Sequence, residues 1–384
     1  MSYILVAALS SVATFGGILY IGYQNRSKLD ELTSLINTYY IGEPNQGAME
    51  DAAAYAMVDA MGDKWSYYIS ARDYNTYLEQ MNNAYVGIGV SVSLTEDETG
   101  LEVKTVEESG SAKEAGIRPG DVIIAVGEEP IAGLGLSGAT SRIKGEENTA
   151  VELTVLRDGE TLAFSIIRKL IQVVVTSGQM LPDNIGLITI NNFDERSAEE
   201  TIATIESLVE QGAQALIFDV RYNPGGYKKE LVKILDYLLP KGVLFRSQDY
   251  TGAEAIDYSD EDCLELPMAV LVNQDSYSAA EFFAAALEEY DWAFLAGTNT
   301  TGKGYFQSTF QMSDGSAVGL SIGKYFTPNG VSLAETGGLV VDIPVEITEE
   351  MDALIYSGLL PPEEDPQIQA AVGKLLEENV EKLD

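Results

Sequence analysis

Apolar and polar positions alternate in short runs between about residues 85 and 170, and on either side of that stretch they recur at helical spacing. Gly87-Ile88-Gly89-Val90-Ser91-Val92 and Leu101-Glu102-Val103 alternate, and Val122 to Val126 is an apolar run closed by Gly127-Glu128-Glu129-Pro130. Val151 to Leu156 and Thr161 to Ile167 flank Arg157-Asp158-Gly159-Glu160, a tight-hairpin signature. Ahead of this β-rich unit, Leu32, Leu35, Ile36 and Tyr39, then Ala53, Met57, Val58 and Met61, predict two helices broken at Gly42-Glu43-Pro44-Asn45. Beyond about Asn184, apolar strands (Ile185 to Ile190, Ala215 to Val220, Met268 to Val272, Ala293 to Ala296) alternate with helices (Ser197 to Glu210, Lys228 to Leu239, Ala279 to Tyr290). That order predicts right-handed crossovers and a largely parallel sheet. The tail past Pro361 is acidic and reads as a surface helix. The pattern divides the chain into 1–24, 25–84, 85–169, 170–360 and 361–384, a mixed α/β multidomain protein.

Residues Tyr3 to Tyr23 carry no charge, and as a helix they would span roughly 30 Å, the thickness of a bilayer core. The basic start of a secretory leader is missing, and Gly22-Tyr23-Gln24-Asn25 is a poor cleavage site. The expectation is an uncleaved transmembrane anchor over 1–24. Arg26 and Lys28 after the span weakly favour a cytoplasmic body.

Composition narrows the chemistry. Sixty acidic residues against 23 basic give a formal charge of −37, which repels nucleic acid. Of 384 residues, 46% are hydrophobic, enough for two or three cores. Cys263 is the single cysteine and there is no histidine, so no disulfide forms within the chain and a zinc site is disfavoured; neither a metal nor a cofactor is expected. The missing histidine also excludes Ser-His-Asp and Cys-His mechanisms and leaves lysine as the natural base for a serine nucleophile.

Ligands of parallel sheets bind at the carboxyl ends of the strands. Three segments fall there: Arg221-Tyr222-Asn223-Pro224-Gly225-Gly226, Asn273 through Ser278 to Glu281, and Thr301-Gly302-Lys303-Gly304-Tyr305-Phe306-Gln307. Ser278 stands where a strand turns into a helix, as in a nucleophile elbow, although a helix N-cap is the commoner role for such a serine and Ser276 is a rival. The amide of Ala279 and one from Gly225 or Gly226 are candidate oxyanion donors. To act as base, Lys303 must be neutral. A free lysine has a pKa of ~10.4 and a useful base ~7–8, so a dry crevice must supply roughly 4 kcal/mol. Gln307 could orient the amine without charging it. Gly297 to Gly304 nearly spells a phosphate-binding loop, but Gly304 stands where serine or threonine should hold magnesium, and a strand pattern follows instead of a helix.

Two resemblances follow from these motifs. Ala112 through Gly116-Ile117-Arg118-Pro119-Gly120-Asp121 to Val126 resembles a PDZ domain, which implies that backbone amides of Val86, Gly87, Ile88 and Gly89 hold a peptide's terminal carboxylate while the peptide adds as a strand. The whole body, about Leu32 to Val345, resembles the C-terminal processing (tail-specific) peptidases. The motifs are Gly62-Asp63-Lys64-Trp65-Ser66-Tyr67-Tyr68, Asp219 to Gly226, Ser276-Tyr277-Ser278-Ala279-Ala280-Glu281, Gly302-Lys303-Gly304 with Gln307, and Gly338 to Ile343. Family members carry a serine, a lysine 25 residues on and a glutamine four beyond, which Ser278, Lys303 and Gln307 match. Tyr277, Ala280 and Trp65 depart from the usual small or proline residues.

The resemblance implies a PDZ domain joined to a crotonase-like α/β protease core, preceded by helices and the anchor. It implies a serine endopeptidase that cuts proteins engaged by their free C-terminal tails, with the PDZ domain gating activity. It also implies a homodimer or regulatory partner and a single-pass membrane protein whose body is extracytoplasmic. The alternative is a non-catalytic, membrane-tethered PDZ scaffold; an acyl-CoA enzyme of crotonase type needs no serine–lysine pair.

Overall fold

The computed structural model describes residues 27–381 apart from residue 109, with side chains to residue 377. The chain forms two compact units, up to Tyr68 and from Ile69 onward. In the first, Ser27 and Asp30 form a reciprocal cap on the helix Lys28–Tyr39, and Asn45 caps Gln46–Asp59 by accepting the Ala48 amide. The break falls where Gly42 and Pro44 predict it. Tyr68 donates to Asp51 at 2.8 Å and meets Tyr55 edge-on, fixing the second helix to the segment that follows.

The second unit begins with the helix Tyr74–Met81 and contains two layered cores. In the first, strands Val90–Leu94, Leu101–Val106, Val122–Val126, Ala150–Arg157 and Glu160–Ile167 form an antiparallel sheet in that order. Asp158 and Gly159, both at positive φ, make the predicted hairpin turn. Leu101, Val103, Ile123, Leu153 and Val155 fill the interior with Ala112, Ala139 and Ile143 from two short helices. Asp121 is buried, accepts the Arg118 amide at 2.8 Å and takes a two-pronged grip from Arg157 at 2.6 and 2.7 Å. Ala84–Gly87 pairs with Lys169–Gln172, tying the two ends of this β-rich unit together. Val90–Leu94 lies at the sheet's edge, next to the helix Gly135–Ile143.

The larger core is a six-stranded sheet in the order Thr176–Leu181, Ile185–Ile190, Ala215–Asp219, Met268–Val272, Ala293–Gly297, Ile343–Pro344. Only the first pair is antiparallel. Alternate side chains serve opposite faces. Leu216 and Phe218 pack beneath the helices Ser197–Glu210, Lys228–Leu238 and Ala279–Glu289. Ala215 and Ile217 face Ile368, Ala371 and Leu375 of the C-terminal helix Pro366–Glu381. That helix keeps Gln369, Leu376 and Glu377 exposed on its outer face and docks its inner face on the sheet as a structural layer. Its acidity conceals an apolar stripe three or four residues apart.

Two further expectations are corrected. The crotonase-like description gives way to an α/β core with helices on both faces of an open sheet, to which an antiparallel sheet is added. The latter contains Val243–Asp249, Glu254–Tyr258, Tyr305–Gln311 and Ala317–Phe326. Among the described residues no helix is long and apolar enough to cross a membrane. The longest of them has 16 residues, short of the about 20 a bilayer core requires. The anchor expected over 1–24 lies outside the described residues. With it the membrane as partner, the single-pass topology and the extracytoplasmic placement are withdrawn.

Candidate active site

Three neighbouring parallel strands, Ala215–Asp219, Met268–Val272 and Ala293–Gly297, end at one edge of the sheet. The loops that leave them carry Gly225, Gly226, Ser278 and Lys303, while Ala279 opens the helix after the second loop and Gln307 lies on the strand after the third.

Ser278 closes the second loop. Its backbone has φ 58° and ψ −124°, a conformation that costs a non-glycine residue about 1–3 kcal/mol, and the helix Ala279–Glu289 starts immediately after it. This is the sharp strand-to-helix turn the sequence predicted. Ser276 has a different place. Its hydroxyl is wholly buried, donates to the Val220 carbonyl at 2.7 Å and accepts the Asn273 amide at 3.0 Å. It braces the loop.

Glu281 joins the second loop to the third. Its fully buried carboxylate accepts the Ser278 amide at 3.0 Å, the Thr300 hydroxyl at 2.6 Å, the Gly302 amide at 2.6 Å and the Lys303 amide at 2.8 Å. Four donors around one buried carboxylate replace the water it has lost. One side chain thus fixes both the serine turn and the lysine loop. Its one sign along the chain is weak, a glutamate three residues after the serine, which reads as a capping box. The Lys303 ammonium lies 5.4 Å from the centre of the Tyr277 ring, so its side chain reaches the residue that precedes Ser278. Burial, with Asp275 adding to it, pushes the Tyr277 phenol above its ordinary pKa.

The first loop approaches the serine from the other side. Gly225 has φ +89°, and a methyl group there would fall 2.7 Å from Ser278 Cβ and 2.8 Å from the Ala279 nitrogen. Gly226 has φ +149°, and its methyl would fall 2.3 Å from the Phe193 carbonyl carbon. Both positions exclude a side chain. The Gly225 amide donates to Asn223 Oδ1 at 2.8 Å and is already engaged. Gly226 and Ala279, the latter at the first turn of its helix, are left as the better oxyanion candidates. Asp194, beside Gly226, is buried with Oδ1 unpartnered; burial, reinforced by Glu195, raises its pKa to about 7.

Gln307 lies on the strand Tyr305–Gln311, and its carboxamide donates to Ser321 Oγ at 3.0 Å and the Tyr305 carbonyl at 3.2 Å. The strand that follows Gly304 also rules out the helix a phosphate-binding loop needs. Val86, Gly87, Ile88 and Gly89 sit in the separate β-rich unit. Ile88 is buried in its core, and the Ile88 and Gly89 carbonyls accept the Ala112 and Glu107 amides. Among the described residues no group of three or more His, Cys, Asp or Glu side chains could hold a metal ion.

Residues 184–345 match peptidase family S41 and residues 86–167 match the PDZ domain. The carboxy-terminal processing protease CtpA of Bacillus subtilis (strain 168) is 32% identical over 313 residues, covering 81% of this chain and 67% of that protein. The chain belongs to the CtpA-like serine proteases of peptidase family S41. A probable CtpA-like serine protease of Staphylococcus aureus (strain MRSA252) is 31% identical over 310 residues, 80% of this chain, which spans only 62% of that relative's length. The crystal structure of a putative S41 protease from Bacteroides fragilis NCTC 9343 is 16% identical, with a TM-score of 0.52 and coverage of 88% of this chain and 91% of that one, a likeness of fold.

Proposed function

We propose that this chain is a serine endopeptidase that cuts protein substrates held by their C-terminal tails, with Ser278 as nucleophile and Lys303 as general base. The observation that carries the reading is the hydrogen bonding of Glu281, which binds the Ser278 turn and the Lys303 loop to one carboxylate. In this mechanism the neutral Lys303 amine takes the Ser278 Oγ proton as the oxygen attacks the scissile carbonyl. The Ala279 and Gly226 amides receive the oxyanion. The lysine then returns its proton to the departing amine, leaving an acyl-serine. Lys303 next deprotonates the attacking water, and collapse of the second tetrahedral intermediate restores the serine. Gln307 has a secondary part, orienting the amine.

The tail itself is taken by the PDZ domain. The edge strand Val90–Leu94 offers an unpaired side, and the turn at Ile88 and Gly89, which follows the paired strand Ala84–Gly87, offers amides to the terminal carboxylate. The PDZ domain gates the core as well as tethering the tail. A fluorophosphonate probe read by intact mass tests the nucleophile: the account expects one adduct on the intact chain and none on Ser278→Ala. Labelling of Ser278→Ala at the same rate would refute it.

A further inference from the structure

The loop that presents Gly226 depends on a buried cation. Arg221 has a side chain only 3% exposed, and an unpaired guanidinium there would cost several kcal/mol. Asp219, two residues before it, takes Nε at 2.9 Å and Nη2 at 2.6 Å. The rest of its shell comes from the other end of the chain. Asp365 Oδ2 lies 2.9 Å from Nη2, and Gln367 Oε1 accepts Nη1 at 2.8 Å. Both residues are almost wholly buried. Asp365 also accepts the Gln367 and Ile368 amides, starting the C-terminal helix, and the Gln367 amide group donates to the Val345 carbonyl.

The next residue is held from the same direction. Tyr222 has φ +59°, costly for a side chain of its size. Its hydroxyl donates to Asp352 Oδ1 at 2.5 Å, its ring meets Tyr356 edge-on at 5.3 Å, and its amide donates to Asn273 Oδ1 at 3.0 Å. Two adjacent residues of one loop are therefore fixed by a segment about 130 to 146 positions away. Gly225 lies against Ser278 with no room for a methyl group, so a small shift of this loop moves the Gly226 amide relative to the serine.

We infer that the C-terminal segment is a working part of the peptidase site, in which Asp352, Asp365 and Gln367 act as positioning residues that hold the 221–226 loop and its Gly226 amide at Ser278. The inference rests on the reading of Gly226 as an oxyanion donor. Removing such a donor lowers kcat by about 10²–10³. Displacing it lowers kcat by less, roughly 10-fold, with little change in KM.

The test uses the full chain with Gln367→Leu and, separately, Tyr222→Phe, which removes only a hydroxyl. The expected result for each is a fall in kcat of about tenfold or more with KM within about twofold. Affinity for a tail-peptide boronate, which mimics the tetrahedral intermediate, falls in parallel, while affinity for an uncleavable tail peptide holds. If Gln367→Leu fails to fold, Tyr222→Phe decides alone. Folded variants with wild-type kcat, or with a raised KM and unchanged kcat, overturn the inference. Ser278→Ala, assayed alongside, separates the two failures. If it is inactive while both variants are wild-type, only the positioning role falls; if it still cleaves, the reading of the site falls first.

Discussion

Glu281 accepts the backbone amide of Lys303 at 2.8 Å while its other contacts hold the Ser278 turn and Thr300. The spacing of the Ser278 turn and the Lys303 loop is thus governed by one buried carboxylate. Glu281→Gln retains the volume but replaces one acceptor oxygen with a donor that faces amide hydrogens. The expected outcome is a fall in kcat of about 100-fold or more and a stability loss of roughly 3 kcal/mol, since buried donors lose their partner. Steady-state kinetics and thermal melts check both. A variant with wild-type kcat would show that the two loops hold their places without this carboxylate.

Asp194 gives the fold a pH dependence of its own. Its pKa is raised to about 7 from an ordinary 3.8, by burial and then by Glu195. The folded state therefore binds more protons than the unfolded state between about 4 and 7. Its stabilising contribution is complete below about pH 4 and is lost as pH rises to about 7, on the order of 3–4 kcal/mol in all. Asp194→Asn, which cannot ionise, should melt above wild type at pH 8 and close to it at pH 4. Equal melting temperatures at pH 8 would contradict the assignment.

In the PDZ domain the sign is reversed. Burial alone would raise Asp121, but the hydrogen bonds from Arg157 and the Arg118 amide outweigh it and hold the carboxyl below its ordinary range. The stability it supplies is present above about pH 4 and is lost as pH falls through the lowered pKa. Asp121→Asn should destabilise the domain by about 3 kcal/mol at pH 7 and weaken tail binding, measured by chemical denaturation and peptide titration. An unchanged denaturation midpoint would show the pair to be dispensable.

Local signals made much of this protein legible. The Asp158-Gly159 hairpin, the helix break at Gly42 and Pro44, and the turn at Ser278 each follow from a few adjacent residues. The absence of histidine leaves lysine as the natural base and so points to Lys303. What stayed hidden was assembled over distance. Glu281 reads as a helix cap because its remaining donors come from Thr300, Gly302 and Lys303. Arg221 reads as one residue of a loop motif until Asp365 and Gln367 are brought to it by the docking of the last helix. The stripe Ile368, Ala371 and Leu375 was masked by the acidic residues on either side of it, Glu363 to Asp365 before and Glu377 after. Gln307 matches by interval, and its carboxamide donates within its own hairpin, to Ser321 and the Tyr305 carbonyl, beside a register shift between Phe306 and Gln307.

The proposed cleavage rests on one hydroxyl and one amine. Its most direct test is incubation of the intact chain with a tagged protein bearing an unfolded C-terminal tail, followed by mass spectrometry of the products, beside Ser278→Ala and Lys303→Ala. The account predicts new termini with the intact chain and none above background with either variant, each of which should keep its wild-type melting temperature within a few degrees. Undiminished cleavage by Lys303→Ala would contradict it.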